Sequence, residues 1–248
     1  MRKIKSRESQ RIEKIGEWRA ERAFPLPGSF YARCPIEVAK DLLGMVLVRR
    51  HGKRILAGRI VETEAYLGAG DAAAHAASGI TQRNRVLFGP PGHAYVYFTY
   101  GMHYCMNVSC MPEGDAGCVL IRALEPLAGI PYMASARGCP QLLSDFFRGR
   151  PSRLSSCQIP SLQLRRLTSG PAMLCQALGI TRARDNGCDL TLPASRLWIG
   201  DDGIHVARSR VVATRRIGIR KSTELPLRFF IRDNSFVSAA RIAVSKPG

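Results

Sequence analysis

The spacing of apolar positions changes several times along the chain. In MVLVRR (45–50) and RILAGRIVETEAY (54–66) apolar residues run together or alternate with polar ones, the spacing of extended chain, and HGK at 51–53 supplies a turn between the two strands. Just before them, residues 36–43 of PIEVAKDLLG have helical spacing and end at Gly44. An Ala-, Gly- and Arg-rich loop follows over 67–93. AYVYFTYGMHYCMNVSC then reads as two strands with Thr99 to Met102 at or near a turn, and GCVLIRALEP as a further strand. SGPAMLCQALGI reads as a helix with Ser169 as its N-cap and Pro171 in its first turn.

Residues 137–166 contain Pro140, Pro151 and Pro160 and six arginines against the single Asp145, so they read as an irregular insertion. The last third reads as strand-rich. Residues 1–24 mix charges of both signs around few apolar positions and are expected to form a basic, disordered tail, with 25–248 as a single domain. Most connections are too short for parallel crossovers. The pattern therefore predicts an α+β fold, a curved and largely antiparallel sheet flanked by helices.

Charge sharpens this picture. The chain carries 37 Lys and Arg against 19 Asp and Glu, a formal charge of +18, which calls for a polyanionic partner. No run of about 18 uncharged apolar residues is present to span a bilayer, and no basic helix has a clean apolar stripe, so nucleic acid is favoured over a membrane surface. Eight cysteines, none in a C-x-x-C pair and several among apolar neighbours, read as buried reduced thiols in a reducing compartment. The N-terminus has no signal-peptide apolar core, and its four glutamates are unlike a transit peptide.

Against that basic background, IVETEAYLGAGDAAAH (60–75) gathers acids beside an apolar run. Strand alternation sends Glu62, Glu64 and Tyr66 to one face and Val61, Thr63 and Ala65 to the other. Buried carboxylates need cations, for which Arg59, Arg83, Arg85 and Arg122 are candidates. Three readings stay open: a structural ion-pair network, a catalytic acid, and a metal site built from Glu62, Glu64, Asp71 and His75, which no recognised ligand spacing supports. A second cluster, Tyr95, Tyr97, Tyr100 and Tyr104 with His93 and His103, reads as half-buried packing or as a stacking surface for bases. Tyr100, beside Gly101 and Met102 at the turn, would project as the wedges of minor-groove proteins do.

Taken in order, RIVETEAYLG, DAAAH, QRNRVLF, PPGHAYVYFTYGMHYCMNV, CVLIRALEP, SGPAMLCQALGI and PLRFFIRDNSFVS closely resemble the alkyladenine DNA glycosylases, the 3-methyladenine glycosylases without a helix-hairpin-helix motif. The similarity runs from about Pro25 to Ala243. The resemblance implies an enzyme that flips alkylated or deaminated purines out of duplex DNA and hydrolyses the N-glycosidic bond, leaving an abasic site. Its expected substrates are 3-methyladenine, 7-methylguanine, hypoxanthine and ethenoadenine.

Glu64 matches the family's general base and Arg122 a residue that helps hold the attacking water. Tyr66, His75, Tyr97 and Asn107 match the pocket for the flipped base, Asn107 as the gatekeeper against normal guanine. Tyr100 matches the intercalating residue on a hairpin that enters the minor groove, with Met102 and His103 beside it. Arg83, Arg85, Arg220 and Lys221 flank matching blocks and are expected to meet phosphates. His103 and Met173 depart from the family's tyrosine and lysine at those places. Glu62 is assigned a structural part.

The expected protein acts as a monomer on double-stranded DNA containing damaged purines, with no membrane partner, metal or organic cofactor. With no lysine at a matched active-site position, neither a Schiff base nor strand cleavage is expected. An intracellular place, the bacterial cytoplasm or nucleoid, fits the composition. Two other classes remain, a basic nucleic-acid-binding protein without catalysis and a metal-dependent nuclease; base release in chelator separates both from a glycosylase.

Overall fold

The computed structural model of the chain describes Trp18 and residues 20–99, 101–139 and 161–238. Its axis is β3 (Arg54–Tyr66), buried along most of its length because residues 55–61 are apolar or glycine on both faces except Arg59, which pairs with Asp202. Around it lie β1 (Phe24–Pro25), β2 (Val46–His51), β4 (Ala94–Thr99), β5 (His103–Cys110), β6 (Gly117–Ala128), β7 (Leu197–Asp201), β8 (Val211–Thr214) and β9 (Arg228–Ile231). The sheet runs β1-β7-β2-β3-β6-β5-β4, with β9 between β3 and β8, and each of these pairings is antiparallel. One edge of β3 pairs first with β2, through residues 54–59, and then with β9, through Glu62 to Glu64. That change of partner accompanies the curl of the sheet. The architecture is α+β, as the hydrophobic pattern predicts.

Helices α1 (Gly28–Tyr31) and α2 (Pro35–Asp41) precede β2; α3 (Ile130–Ala136), α4 (Ser161–Thr168), α5 (Pro171–Leu178) and α6 (Arg182–Asp185) come from the second half. The main core joins Val61 and Ala65 of β3 and Ile121 of β6 to Val38 and Leu42 near α2 and to Leu174 and Leu178 of α5. Thr63, on the same face of β3, donates to the Ala39 carbonyl at 2.8 Å. A separate cluster of Ala76, Leu87, Tyr95 and Cys118 packs with Tyr66 and Tyr97.

Several expectations are revised. The segment expected to be irregular over 137–166 already contains α4 from Ser161, whose Leu164 and Leu167 are fully buried; residues 140–160 lie outside the described residues. The last third carries α4, α5 and α6 as well as three short strands. Ser169 does not cap α5. Pro171 occupies the first turn, which makes Gly170 the N-cap, and the Ser169 hydroxyl is buried without a hydrogen-bond partner. Of the segment assigned to the tail, residues 1–17 and 19 lie outside the described residues. Trp18 donates to Asp202 at 3.0 Å and Phe24 pairs with Asp201, so tertiary contacts begin before Pro25. No helix among the described residues is long and apolar enough to cross a membrane.

The site depends on an irregularity between β3 and β6. Ile60 pairs with Leu124 and Glu62 with Ala123, so Val61 is an extra residue on β3; Thr63 then pairs with Ile121, so Arg122 is an extra residue on β6. The two bulges cancel in register and turn Arg122 toward the face shared by Glu62 and Glu64.

At the exit of β3, Gly68 has a φ of +88° and lies against the Ala116 backbone, where a Cβ would overlap the carbonyl oxygen. Gly68→Ala is therefore expected to destabilise the fold by about 2 kcal/mol or more. A melting temperature equal to the parent's would show that the 67–71 turn relaxes at no cost.

Candidate active site

Three strands and one returning loop bring the charged groups together. Glu64, fully buried on β3, accepts from the Ile217 backbone N–H at 2.7 Å and lies 3.1 Å from Arg122 Nη1, both through Oε1, while Oε2 accepts from the Tyr66 hydroxyl at 3.0 Å. A carboxylate offers roughly four acceptor positions, so one on Oε2 is left for a further donor. Burial pushes the Glu64 carboxyl above the usual carboxylate range, with the charge of Glu62 adding to the effect. Arg122, the Ile217 amide and the Tyr66 hydroxyl act in the opposite sense. The result is a more basic carboxylate than one in water.

Glu62 has a different set of partners. It receives Arg122 Nε at 3.1 Å and Arg228 Nε at 2.6 Å, and the Ser238 amide and hydroxyl at 2.7 and 2.9 Å. Four donors, two of them guanidinium groups, meet this carboxylate, and its place is structural: it orients Arg122. Burial alone would lower the Arg122 pKa, but Glu64 and Glu62 together raise it, so the guanidinium stays charged. Asp71 pairs with Arg216 through both oxygens and accepts from the Leu67 and Ala73 amides. Burial works to raise its carboxyl, yet those donors hold it below the usual range. Glu62 and Asp71 are thus turned to guanidinium groups. No grouping of three or more His, Cys, Asp or Glu suited to a metal ion occurs among the described residues. Of the arginines expected to compensate the acids, Arg122 does so; Arg59 faces Asp202, and Arg83 and Arg85 are exposed. Arg216 and Arg228 take their place.

Beside Glu64 lies a cavity of about 360 Å³, of the size that takes a small planar ligand. Its wall includes Tyr66, Arg122 and Ile217, the three groups that hold the Glu64 carboxylate, so that carboxylate sits immediately behind the wall. Aromatic rings form another side. His75 and Tyr97 meet edge to face with centroids 4.5 Å apart, and Tyr95 lies 5.6 Å from Tyr97. The His75 Nδ1 and the Tyr95 hydroxyl are 3.0 Å apart; burial of the ring, followed by the charge on Arg83, lowers the His75 pKa, so the imidazole is neutral at neutral pH.

Asn107 lines the cavity with its amide held at both ends. Nδ2 donates to the Tyr95 carbonyl at 3.4 Å, and Oδ1 faces the Cys118 thiol at 3.7 Å. Burial, reinforced by Asp71, pushes that thiol up to about 12, so it stays protonated and able to donate. Asn84, which sequence reasoning passed over, is buried and binds the His75 and Gly79 carbonyls, fixing the loop that carries His75. Of the seven cysteines described, all free, Cys105, Cys110, Cys118 and Cys175 are buried, Cys139 and Cys188 partly so, and Cys34 is exposed.

The hairpin of β4 and β5 lines the cavity through Tyr97, Thr99, Cys105 and Asn107. Thr99 pairs with His103, Gly101 in the turn has a φ of +68°, and Met102 is 69% exposed, with His103 exposed beside it. Tyr100 lies outside the described residues. Exposed Arg83 places its guanidinium 5.9 Å from the centre of the Tyr97 ring, and exposed Arg85 follows two residues later. Exposed Arg220 and Lys221 directly follow Ile217, Gly218 and Ile219 of the cavity wall. Met173, on α5 two residues beyond the cavity-lining Pro171, is 36% exposed. A second cavity of about 680 Å³, bounded by Phe30, Lys40, Val206 and Phe229, contains none of these groups.

Residues 29–235 match the family model described as methylpurine-DNA glycosylase. The chain is 52% identical over 217 residues to a candidate 3-methyladenine DNA glycosylase of Koribacter versatilis, covering 88% of this chain and 94% of that one. It is 46% identical over 213 residues to one of Carboxydothermus hydrogenoformans, covering 86% and 98%. With one of Methanoculleus marisnigri the identity is 43% over 219 residues, again covering 86% and 98%.

Proposed function

The chain belongs to the methylpurine-DNA glycosylase family, and from this premise we propose that it removes alkylated purines from DNA by a water molecule that Glu64 activates. It is a DNA-3-methyladenine glycosylase, a hydrolase of base excision repair. The observation that carries the mechanism is a buried carboxylate, more basic than usual, with one acceptor position to spare behind the wall of a purine-sized cavity.

The chemistry suits a single acid. A purine methylated at N3 or N7 is already cationic and leaves with little help, while the sugar approaches an oxocarbenium ion that a nearby negative charge stabilises. Glu64 takes a proton from the water and offers its charge to that sugar. Arg122, bridging Glu62 and Glu64, keeps the carboxylate ionised and aimed. Tyr66, His75 and Tyr97 stack around the extruded base, and their electron-rich faces favour a cationic ring by about 0.5 to 2 kcal/mol. Asn107, its amide fixed by Tyr95 and Cys118, crowds the exocyclic amino group of normal guanine.

The β4–β5 hairpin enters the minor groove, with Met102 and His103 in the wedge and Tyr100 assigned to fill the gap left by the base. Arg83, Arg85, Arg220 and Lys221 hold phosphates on either side. 7-Methylguanine, hypoxanthine and ethenoadenine are the further lesions proposed, and the product is an abasic site.

Incubated with methylated duplex DNA in chelator, the protein is expected to release free 3-methyladenine without breaking the strand. Salt-sensitive DNA binding with no base released at any ionic strength would overturn the reading and leave a binding protein; chelator-sensitive strand breaks would point to a nuclease.

A further inference from the structure

Tyr66 has a cavity side and a hidden side, and an arginine occupies the hidden one. The guanidinium carbon of Arg216 lies 4.7 Å from the centre of the Tyr66 ring; Arg216 is only 6% exposed and takes no part in the cavity wall, to which Tyr66 belongs. This arginine donates to the Ala65 and Ser222 carbonyls and, through both terminal nitrogens, to Asp71. The carbonyls carry no net charge. Asp71 is therefore the acid that Arg216 contacts directly, and it is itself fixed by the Leu67 and Ala73 amides.

A ring with a bare cation on one face is a poor seat for a second cation on the other. The two charges draw on the same π cloud and repel each other through it. A base stacked on the open face of Tyr66 would lie roughly 8 Å from the guanidinium, with little water between to screen it. Pairing with Asp71 makes the unit beneath the ring neutral overall. The repulsion then shrinks to that of a dipole.

We propose that the Asp71–Arg216 pair is a specificity-determining device: by cancelling the guanidinium charge beneath Tyr66, Asp71 keeps the opposite face attractive to cationic lesions and so sets their preference over neutral ones. The inference rests on the reading that the extruded base stacks on Tyr66. Arg216 supplies the rigidity, since it ties Ala65 of β3, the Asp71 loop and Ser222 to the segment whose Ile217 amide binds Glu64. Asp71 supplies the charge balance.

The test compares duplexes carrying 7-methylguanine, a cation, or hypoxanthine, neutral, at the same position. Binding is measured in the Glu64→Gln protein so that both lesions give a value without excision. Adding Asp71→Asn, which keeps the side chain's shape, is expected to weaken binding of the 7-methylguanine duplex about tenfold more than that of the hypoxanthine duplex. Removing both charges, Asp71→Asn with Arg216→Gln, is expected to bring the ratio back to within about threefold of its starting value.

The folded fraction of each variant is read from its melting curve and affinities are referred to folded protein alone, so a loss of fold is removed before the two duplexes are compared. Equal weakening of the two duplexes, or a ratio that the second substitution does not restore, overturns the inference. If the parent protein releases no 3-methyladenine from methylated DNA, the functional reading beneath it fails instead.

Discussion

Replacing Glu64 by glutamine is expected to lower base release about a thousandfold while leaving lesion binding within a fewfold of the parent, and to make the protein more heat-stable at neutral pH. The kinetic part follows from the role: an amide neither accepts the water's proton nor offers a negative charge to the sugar, and general-base contributions run from about a hundred- to ten-thousandfold. Binding is spared because the amide is nearly isosteric. Its oxygen can accept from the Ile217 amide and Arg122, and the Tyr66 hydroxyl can rotate to accept from its NH₂ group.

The stability part follows from the raised pKa of the buried carboxyl. A group whose folded pKa lies above its unfolded value favours folding below the unfolded value and loses that contribution as pH rises through the folded one. Parent and variant should thus melt alike in acid. They should diverge in the variant's favour as pH climbs from the ordinary carboxylate range through the raised value. Over the same window the parent's rate of base release should rise as the base ionises. Melting curves and single-turnover rates across that range check both statements, and excision by the variant at the parental rate would remove Glu64 from the mechanism.

Arg122→Gln carries the second large effect, and it acts in the opposite direction on stability. The guanidinium is 7% exposed and neutralises two fully buried acids. Its loss leaves Glu62 with Arg228 and Ser238 but strips Glu64 of its cation. Breaking one side of a buried pair costs about 3 to 5 kcal/mol, which in a chain of this size lowers the melting temperature by about 10 °C. The pKa of Glu64 should rise further, so activity falls at neutral pH and recovers in part at higher pH. Combining Arg122→Gln with Glu64→Gln removes the stranded charge, and the double variant should regain much of the lost stability. Additive losses in the double variant would show that Arg122 stabilises by packing and not by charge.

Legibility of the fold and site differed from residue to residue. The strands at 45–50 and 54–66, the hairpin around 99–103 and the helix in SGPAMLCQALGI are local patterns, and burial of alternate faces is enough to place them. Ser169 was a misleading cap signal because Pro171 fixed the helix start one residue later than a serine cap requires. The helix at Ser161–Thr168 was hidden by prolines just before it and by its own two arginines. Among the acids, Glu62 and Glu64 look alike in ETEAY, and strand alternation rightly puts them on one face. Which arginine meets which acid was not readable, since Arg122, Arg216 and Arg228 lie about 60 to 165 residues away along the chain. A charged residue inside an apolar run, as in LIRAL or LRFF, is the signal that marks two of them; Arg216, in ATRRIG, has no such mark.

The sequence by itself determined the sheet-forming strands, the excess of positive charge that suits a phosphate backbone, and the placing of Glu62 and Glu64 on one face of a strand. Those properties depend on side-chain type and short-range spacing, which the chain carries wherever it goes. Tertiary structure alone decided that Glu62 is held by two guanidinium groups and Ser238 while Glu64 meets one guanidinium and keeps a free acceptor position, that paired bulges swing Arg122 between them, and that Asp71 neutralises an arginine beneath Tyr66. Each of these is a matter of register and of contacts between distant segments, and the pKa of a carboxylate follows from what surrounds it in space.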